Sequence, residues 1–341
     1  MQDVIGWDIG GAHVKAARAR EGRLVAVVQR ACDTHAGLSS LEEAVRATSA
    51  ELGPAMRHHV TMTAELSDAF EDRACGVASI SAIMAHELGP DIFFYAGEQG
   101  LVGRADVAKY NYLIASANWR TSAEWTARSC RNALFIDIGS TTTDLIPIRD
   151  HRIVAQGATD AERLAQGELV YAGFSRGAPQ AYVRQAPMNG RWTPLVNEAF
   201  ASMADVRRVL GDLAEGDSRA DLAPTADGRP KTQKAALARL ARLAGFDAAD
   251  LTDRQWRAFA DYLAHAQLRM IEDQIALLAS REGFTPDAIF VGAGVGRGLV
   301  ARLAQAQGRV CRDFADFVPA PEELRLAVAD CAPAVALALM K

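Results

Sequence analysis

Cysteine is scarce and scattered. Only Cys32, Cys75, Cys130, Cys311 and Cys331 occur in 341 residues, with no CxxC pair. An odd, dispersed set excludes a disulfide framework and a thiolate zinc site. The seven histidines form neither HxxxH nor HExxH. Any metal would therefore be held by carboxylates and the phosphate oxygens of a ligand. No apolar run reaches the roughly 18 residues of a membrane span. The chain begins directly in Val4-Ile5-Gly6-Trp7-Asp8, without the basic stretch or cleavage site of an export signal. Lysine is almost missing: five against 32 arginines, with a net charge of −5. That balance argues against a nucleic-acid-binding face. The expectation is a cytoplasmic protein that handles small molecules, with no nucleic-acid or membrane partner.

What is present is ordinary globular composition, 50% hydrophobic and 23% charged, at a length suited to about two domains. The most informative feature is a repeat. Residues 5–26 (IGWDIGGAHVKAARAREGRLVA) align without a gap on residues 134–155 (LFIDIGSTTTDLIPIRDHRIVA). Each copy reads as an antiparallel meander: a strand ending in Asp-Ile-Gly, a turn of small residues, and a second strand. A polar turn (Glu21-Gly22, Asp150-His151) then leads to a third strand (24–28, 153–155). Two domains of similar fold, 1–133 and 134–320, are expected to face each other across a cleft. A C-terminal helix, 321–341, is expected to complete the first, and a helical insertion near 194–283 to enlarge the second.

Further strands are expected at 60–64, 92–95, 113–117, 169–172 and 288–291, with helices near 76–88 and 122–132. Thr252 and Gln255 form a capping box for a long helix that carries Trp256, Phe259, Leu263 and Met270 on one face. It closes near Gly283 and Pro286. Residues 214–232 are polar and rich in Asp, Gly and Pro, and are expected to be a mobile loop. The apolar stretch 321–339 is expected to be one buried helix.

A strand ending in Asp, followed by a turn of glycine and hydroxyl residues, offers N–H groups to an anion. The first such turn is Gly10, Gly11, Ala12 and His13, with Lys15 beyond it. The second is Gly139, Ser140, Thr141 and Thr142, with Asp144 beyond it. Asp8 and Asp137 are the candidate ligands for Mg²⁺. A third glycine-rich stretch, with Gly292, Gly294 and Gly296, follows a strand and opens a helix. A dinucleotide fold would place such a motif first in the chain, so a phosphate or nucleotide lid is the better expectation.

Together these three elements resemble the phosphate-1, phosphate-2 and adenosine motifs of the sugar kinase/Hsp70/actin superfamily. The DIGSTTTD form is most similar to its hydantoinase A/oxoprolinase branch. The blocks TMTAELSDAFEDR (61–73), SANW (116–119), FASMADV (200–206) and TADGR (225–229) resemble tetrahydromethanopterin-linked one-carbon-pathway proteins. Their archaeal members include a synthase of the methanofuran aryl–furfuryl ether. The resemblance implies an α/β fold of two ribonuclease H-like, actin-like domains. It also implies a transferase that joins (aminomethyl)furanmethanol diphosphate to the phenol of a tyramine- or tyrosine-derived substrate. Asp8, Glu65 and Asp137 are then the catalytic candidates, with Asp68, Glu71, Asp72, Arg73, Asn118 and Trp119 as substrate contacts. Two alternatives stay open: an ATP-dependent kinase or ATPase, and a non-catalytic nucleotide-binding module.

Overall fold

A computed structural model describes residues 3–32, 34, 37–217, 219–285 and 287–340. The chain forms two compact units. Unit 1 contains Met1–Phe135, Ile146–Ala155 and Arg312–Lys341; unit 2 contains Ile136–Leu145 and Gln156–Cys311.

Unit 1 opens with β1 (Asp3–Ile9), β2 (His13–Arg20), β3 (Arg23–Ala31), α1 (Leu38–Leu52) and β4 (Arg57–Met62). It continues through α2 (Arg73–Leu88), β5 (Ile92–Tyr95), β6 (Leu101–Gly103), α3 (Val107–Ile114) and α4 (Asn118–Ser129). The sheet order is β3-β2-β1-β4-β5-β6. β1 pairs antiparallel with β2 and parallel with β4. Because helices cover both faces, β1 is apolar almost throughout rather than alternating. Ile5, Trp7 and Ile9 join the core that contains Leu41 and Val45 of α1 and Val77, Ile80 and Met84 of α2.

The second sheet runs β10-β8-β7-β13-β14, with β9 also paired to β8. Its strands are β7 (Ala133–Ile138), β8 (Thr143–Arg149), β9 (Arg152–Ile153), β10 (Leu169–Val170), β13 (Ile289–Ala293) and β14 (Cys311–Asp313). Between them lie α5 (Asp160–Ala165), the hairpin of β11 (Gln185–Met188) and β12 (Arg191–Pro194), and α6 (Met203–Leu210). α7 (Gln233–Leu243), α8 (Asp253–Ala279) and α9 (Arg297–Ala306) follow. In both sheets the hairpin strands lie side by side with a later strand next to the first, β2-β1-β4 and β8-β7-β13. The sheets differ at the third strand. β3 runs unbroken along β2, whereas β8 is flanked by two short pieces, β9 at its far end and β10 beside Asp144 and Thr143. The strand expected over 153–155 is the shorter β9, and the one expected over 169–172 is the shorter β10, with α5 between them.

The chain ends in unit 1 with α10 (Arg325–Asp330) and α11 (Ala332–Leu339). The expected single helix is broken at Cys331, whose φ of −120° and ψ of 33° are not helical, with Pro333 opening the second piece. Every residue of α11 is buried. It lies against β1 at Gly6, where a Cβ would stand 2.1 Å from the Ala334 carbonyl oxygen. Only glycine permits that approach.

Three further expectations need correction. Residues 113–117 are not a strand: α3 runs to Ile114, and Ser116 turns the chain with a φ of 52°. The helix expected to start near residue 122 already begins at Asn118. The Thr252–Gln255 capping box is present, but α8 ends at Ala279, Met270 is only partly buried, and Pro286 lies outside the described residues. Among its described residues the stretch 214–232 lacks helix and strand, as expected, yet it is tied down. Asp221 pairs with Arg208, and Asp227 pairs with the fully buried Arg239.

Candidate functional site

The two Asp-x-Gly turns have the same internal geometry. The Gly10 N–H donates to the His13 carbonyl at 2.9 Å, and the Gly139 N–H donates to the Thr142 carbonyl at 2.9 Å. Each preceding carbonyl is held by the segment that follows the neighbouring strand, β4 beside β1 and β13 beside β7. Ile9 accepts from the Thr63 N–H at 2.9 Å, and Ile138 accepts from the Gly296 N–H at 2.8 Å. The Thr63–Glu65 segment of unit 1 is therefore the counterpart of the glycine-rich stretch of unit 2. Sequence alone hid this correspondence, because one copy uses Thr-Ala-Glu where the other uses glycines.

In unit 2 the turn is strapped from behind. The Gly173 and Phe174 N–H groups donate to the Thr141 and Gly139 carbonyls, and those of Ser175 and Arg176 donate to Ser140. With its carbonyls and the Gly139 N–H engaged within the unit, the turn has its remaining N–H groups and the half-buried Ser140, Thr141 and Thr142 hydroxyls as a donor surface. Gly294, at a φ of +79°, passes so close that a Cβ would sit 2.3 Å from Asp137 Oδ1 and 2.4 Å from the Ile138 oxygen. Gly296 packs on the Ile138 side chain, and Gly292 lies against Val300 of α9. These glycines are needed for the turn to form. Asp137 is half-buried at the end of β7. Asp144 is held differently: Arg163 Nη2 donates to it at 2.6 Å. Burial pushes the Asp144 carboxyl above its ordinary value, and the Arg163 charge opposes that.

In unit 1, Asp8 is 6% exposed and sits opposite Lys15 across β1 and β2. Lys15 Nζ donates to the Asp330 carbonyl at 2.8 Å, which anchors it to the end of α10. Gly10 lies near Thr63, Gly11 accepts from the Thr34 hydroxyl, Ala12 accepts from the Cys32 N–H, and His13 opens β2.

The acidic block divides. Glu65 lies in a single 3-10 turn beyond β4, is 2% exposed and accepts from the Ser116 hydroxyl at 2.8 Å. Gly76 of α2 packs directly on its backbone. Two sequence blocks, 61–73 and 116–119, thus meet at this carboxylate. Asp68, Glu71, Asp72 and Arg73 are all exposed, and Asp72 caps α2 by accepting from the Cys75 N–H at 2.7 Å. Asn118 accepts from the Trp119 N–H, and Trp119 is buried at 5% exposure. Among the described residues, no group of three or more His, Cys, Asp or Glu side chains is arranged to hold a metal.

The model of the hydantoinase/oxoprolinase family matches residues 57–317. A protein of Methanocaldococcus jannaschii, named (4-{4-[2-(gamma-L-glutamylamino)ethyl]phenoxymethyl}furan-2-yl)methanamine synthase, is 30% identical over 237 residues. That match covers 69% of this chain and 70% of the relative. The protein of the same name from Methanococcus vannielii is 36% identical over 114 residues, 33% of this chain and 49% of its own length. Among solved structures, nucleotide-free acetone carboxylase superposes with a TM-score of 0.58 at 11% identity, over 98% of this chain and 70% of that one. A ROK family glucokinase from Streptomyces griseus gives 0.48 at 16% identity, over 98% of both chains. The α/β fold is that of two ribonuclease H-like, actin-like halves. With the family match extending from β4 through β14, this chain belongs to the hydantoinase/oxoprolinase family.

Proposed function

We propose that this protein forms an aryl–alkyl ether. The phenol oxygen of a glutamylated tyramine attacks the CH₂ carbon of (aminomethyl)furanmethanol diphosphate. The C–O bond to diphosphate breaks, and the phenol proton passes to a carboxylate. The observation that carries this reading is the 237-residue match to a synthase whose name describes such an ether. The furan ring stabilises positive charge at the reacting carbon, so the protein's main task is to receive the departing diphosphate and orient the phenol. The Ser140 turn, strapped from behind and rich in donors, suits the first task. Glu65, buried and fixed by Ser116, is proposed to serve the organic substrates.

Mg²⁺ fits the residues present. Gly294 keeps clear the space beside Asp137 Oδ1 that a side chain would fill. With no three-residue protein cluster among the described residues, diphosphate oxygens would supply further ligands beside Asp137 or Asp8. When bound, the cation would neutralise charge on the leaving oxygen.

The test is product analysis with the furfuryl diphosphate and glutamyl tyramine in the absence of ATP. Ether and diphosphate are expected in equal amounts, and chelation of Mg²⁺ should stop the reaction. Strict ATP dependence with ADP as a product would replace this reading with a kinase or ATPase.

A further inference from the structure

Two sequence blocks without a role so far, 200–206 and 225–229, meet in unit 2 around a cavity of about 210 Å³. Ala201, Ser202 and Asp205 line one side, and Thr225 and Ala226 another. Ser175 and Arg176 also line it, and their N–H groups hold the Ser140 carbonyl, so the cavity adjoins the strapped turn.

Its wall contains Arg208, 2% exposed. Nη2 of Arg208 donates to Asp221 Oδ2 at 2.6 Å. Nη1 stands 4.0 Å from Asp205 Oδ1, and neither Nη1 nor Nε has a hydrogen-bond partner among the described residues. Buried guanidinium donors without acceptors are costly, so this deficit points to a ligand. Asp205 and Asp221, which also line the cavity, are already engaged. Asp205 Oδ1 accepts twice from Arg239, at 2.9 and 2.7 Å, and its Oδ2 accepts from the Ser202 N–H. Lys231 Nζ lies 3.7 Å from Asp221 Oδ1. Those acids leave two donors of Arg208 unmet, and the exposed Arg176 adds a second cation at the cavity's edge.

We propose that this cavity binds the carboxylate of the acceptor's glutamyl tail, with Arg208 as the recognising residue. The proposal rests on the ether-forming reading for the identity of the acceptor. A carboxylate and a phosphate would both answer the same deficit, and the experiment separates them.

Calorimetry on the full chain should compare γ-glutamyltyramine with its α-carboxamide, which keeps size but loses charge. The acid is expected to bind roughly 10- to 100-fold more tightly, the range for hydrogen bonds to charged groups. Arg208→Met should abolish that preference. Because this change leaves Asp221 with only Lys231, Ala223→Leu, which fills the cavity from its loop, provides a second variant that should lose the same preference. Equal affinity of wild type for acid and amide overturns the proposal. So does a preference retained in folded Arg208→Met, or loss of acid binding when inorganic phosphate competes at its own higher affinity. If no ether forms yet wild type keeps the preference and the variants lose it, the proposed reaction fails and the carboxylate site stands.

Discussion

Three glycines within five residues should respond to alanine with opposite signs. At Gly294 a Cβ would meet Asp137 Oδ1 at 2.3 Å and the Ile138 carbonyl oxygen at 2.4 Å. Ordinary carbon–oxygen contact is about 3.3 Å, so relief requires a movement of roughly 0.9 Å. Asp137 can rotate, but Ile138 is backbone and holds the Gly296 N–H at 2.8 Å. The left-handed φ of +79° adds about 1 kcal/mol for any residue with a Cβ. Overpacking of this kind costs about 1–3 kcal/mol, which gives roughly 2–4 kcal/mol in total for Gly294→Ala. Gly296→Ala meets the Ile138 side chain at 2.4 Å without positive φ and should cost about 1–3 kcal/mol. Gly298 is exposed in the first turn of α9 with nothing within 4 Å, so Gly298→Ala should be neutral or stabilise by up to about 1 kcal/mol. Urea unfolding of the three variants, read by far-UV circular dichroism, gives the order directly. If Gly294→Ala and Gly298→Ala unfold at the same urea concentration, the packing account of this motif is wrong.

Gly6→Ala should destabilise by at least about 3 kcal/mol, since the new Cβ meets backbone of α11 at 2.1 and 2.4 Å; a wild-type melting temperature would refute that contact. His58 accepts from Trp7 Nε1 at 3.1 Å through Nδ1, and burial holds its pKa down at about 4. The unfolded chain takes up that proton below about pH 6.5 and the folded chain does not. Stability should therefore fall as pH drops from 6.5 towards 4, by about 3 kcal/mol, then level off. His58→Gln should flatten that slope in urea titrations, and an unchanged slope would assign it elsewhere. Asp137→Asn should leave the unfolding free energy within about 1 kcal/mol of wild type while cutting ether formation at least 100-fold; full turnover would remove Asp137 from the site.

The hairpins and their turns were legible because Asp-Ile-Gly recurs in register and strand, turn and strand follow with matching polarity. Pairing across β1 and β2 is local, so a local pattern suffices to specify it. The stretch Leu113–Ala117 misled for the opposite reason. Its apolar run reads as a strand, but α3 continues to Ile114 and Ser116 adopts a left-handed turn that brings its hydroxyl to Glu65, 51 residues away. Arg208, Asp205, Asp221 and Arg239 likewise form one cluster from segments that composition reads as separate loop and helix. The role of Lys15 was invisible for the same reason, because its partner lies 315 residues on.

The seat of α11 on β1 also bears on how the chain is made. Gly6 is synthesised 328 residues before Ala334, which together with Ala338 covers it. At 5–20 residues per second, the uncovered strand waits roughly 15–65 s for its helix. Nearly all of unit 2 is synthesised within that interval, so it can close while unit 1 still exposes one face of its sheet. Newly made unit 1 is thus the aggregation-prone half of the protein. Deletion of α11 alone should cost soluble yield far more than eight lost residues would suggest.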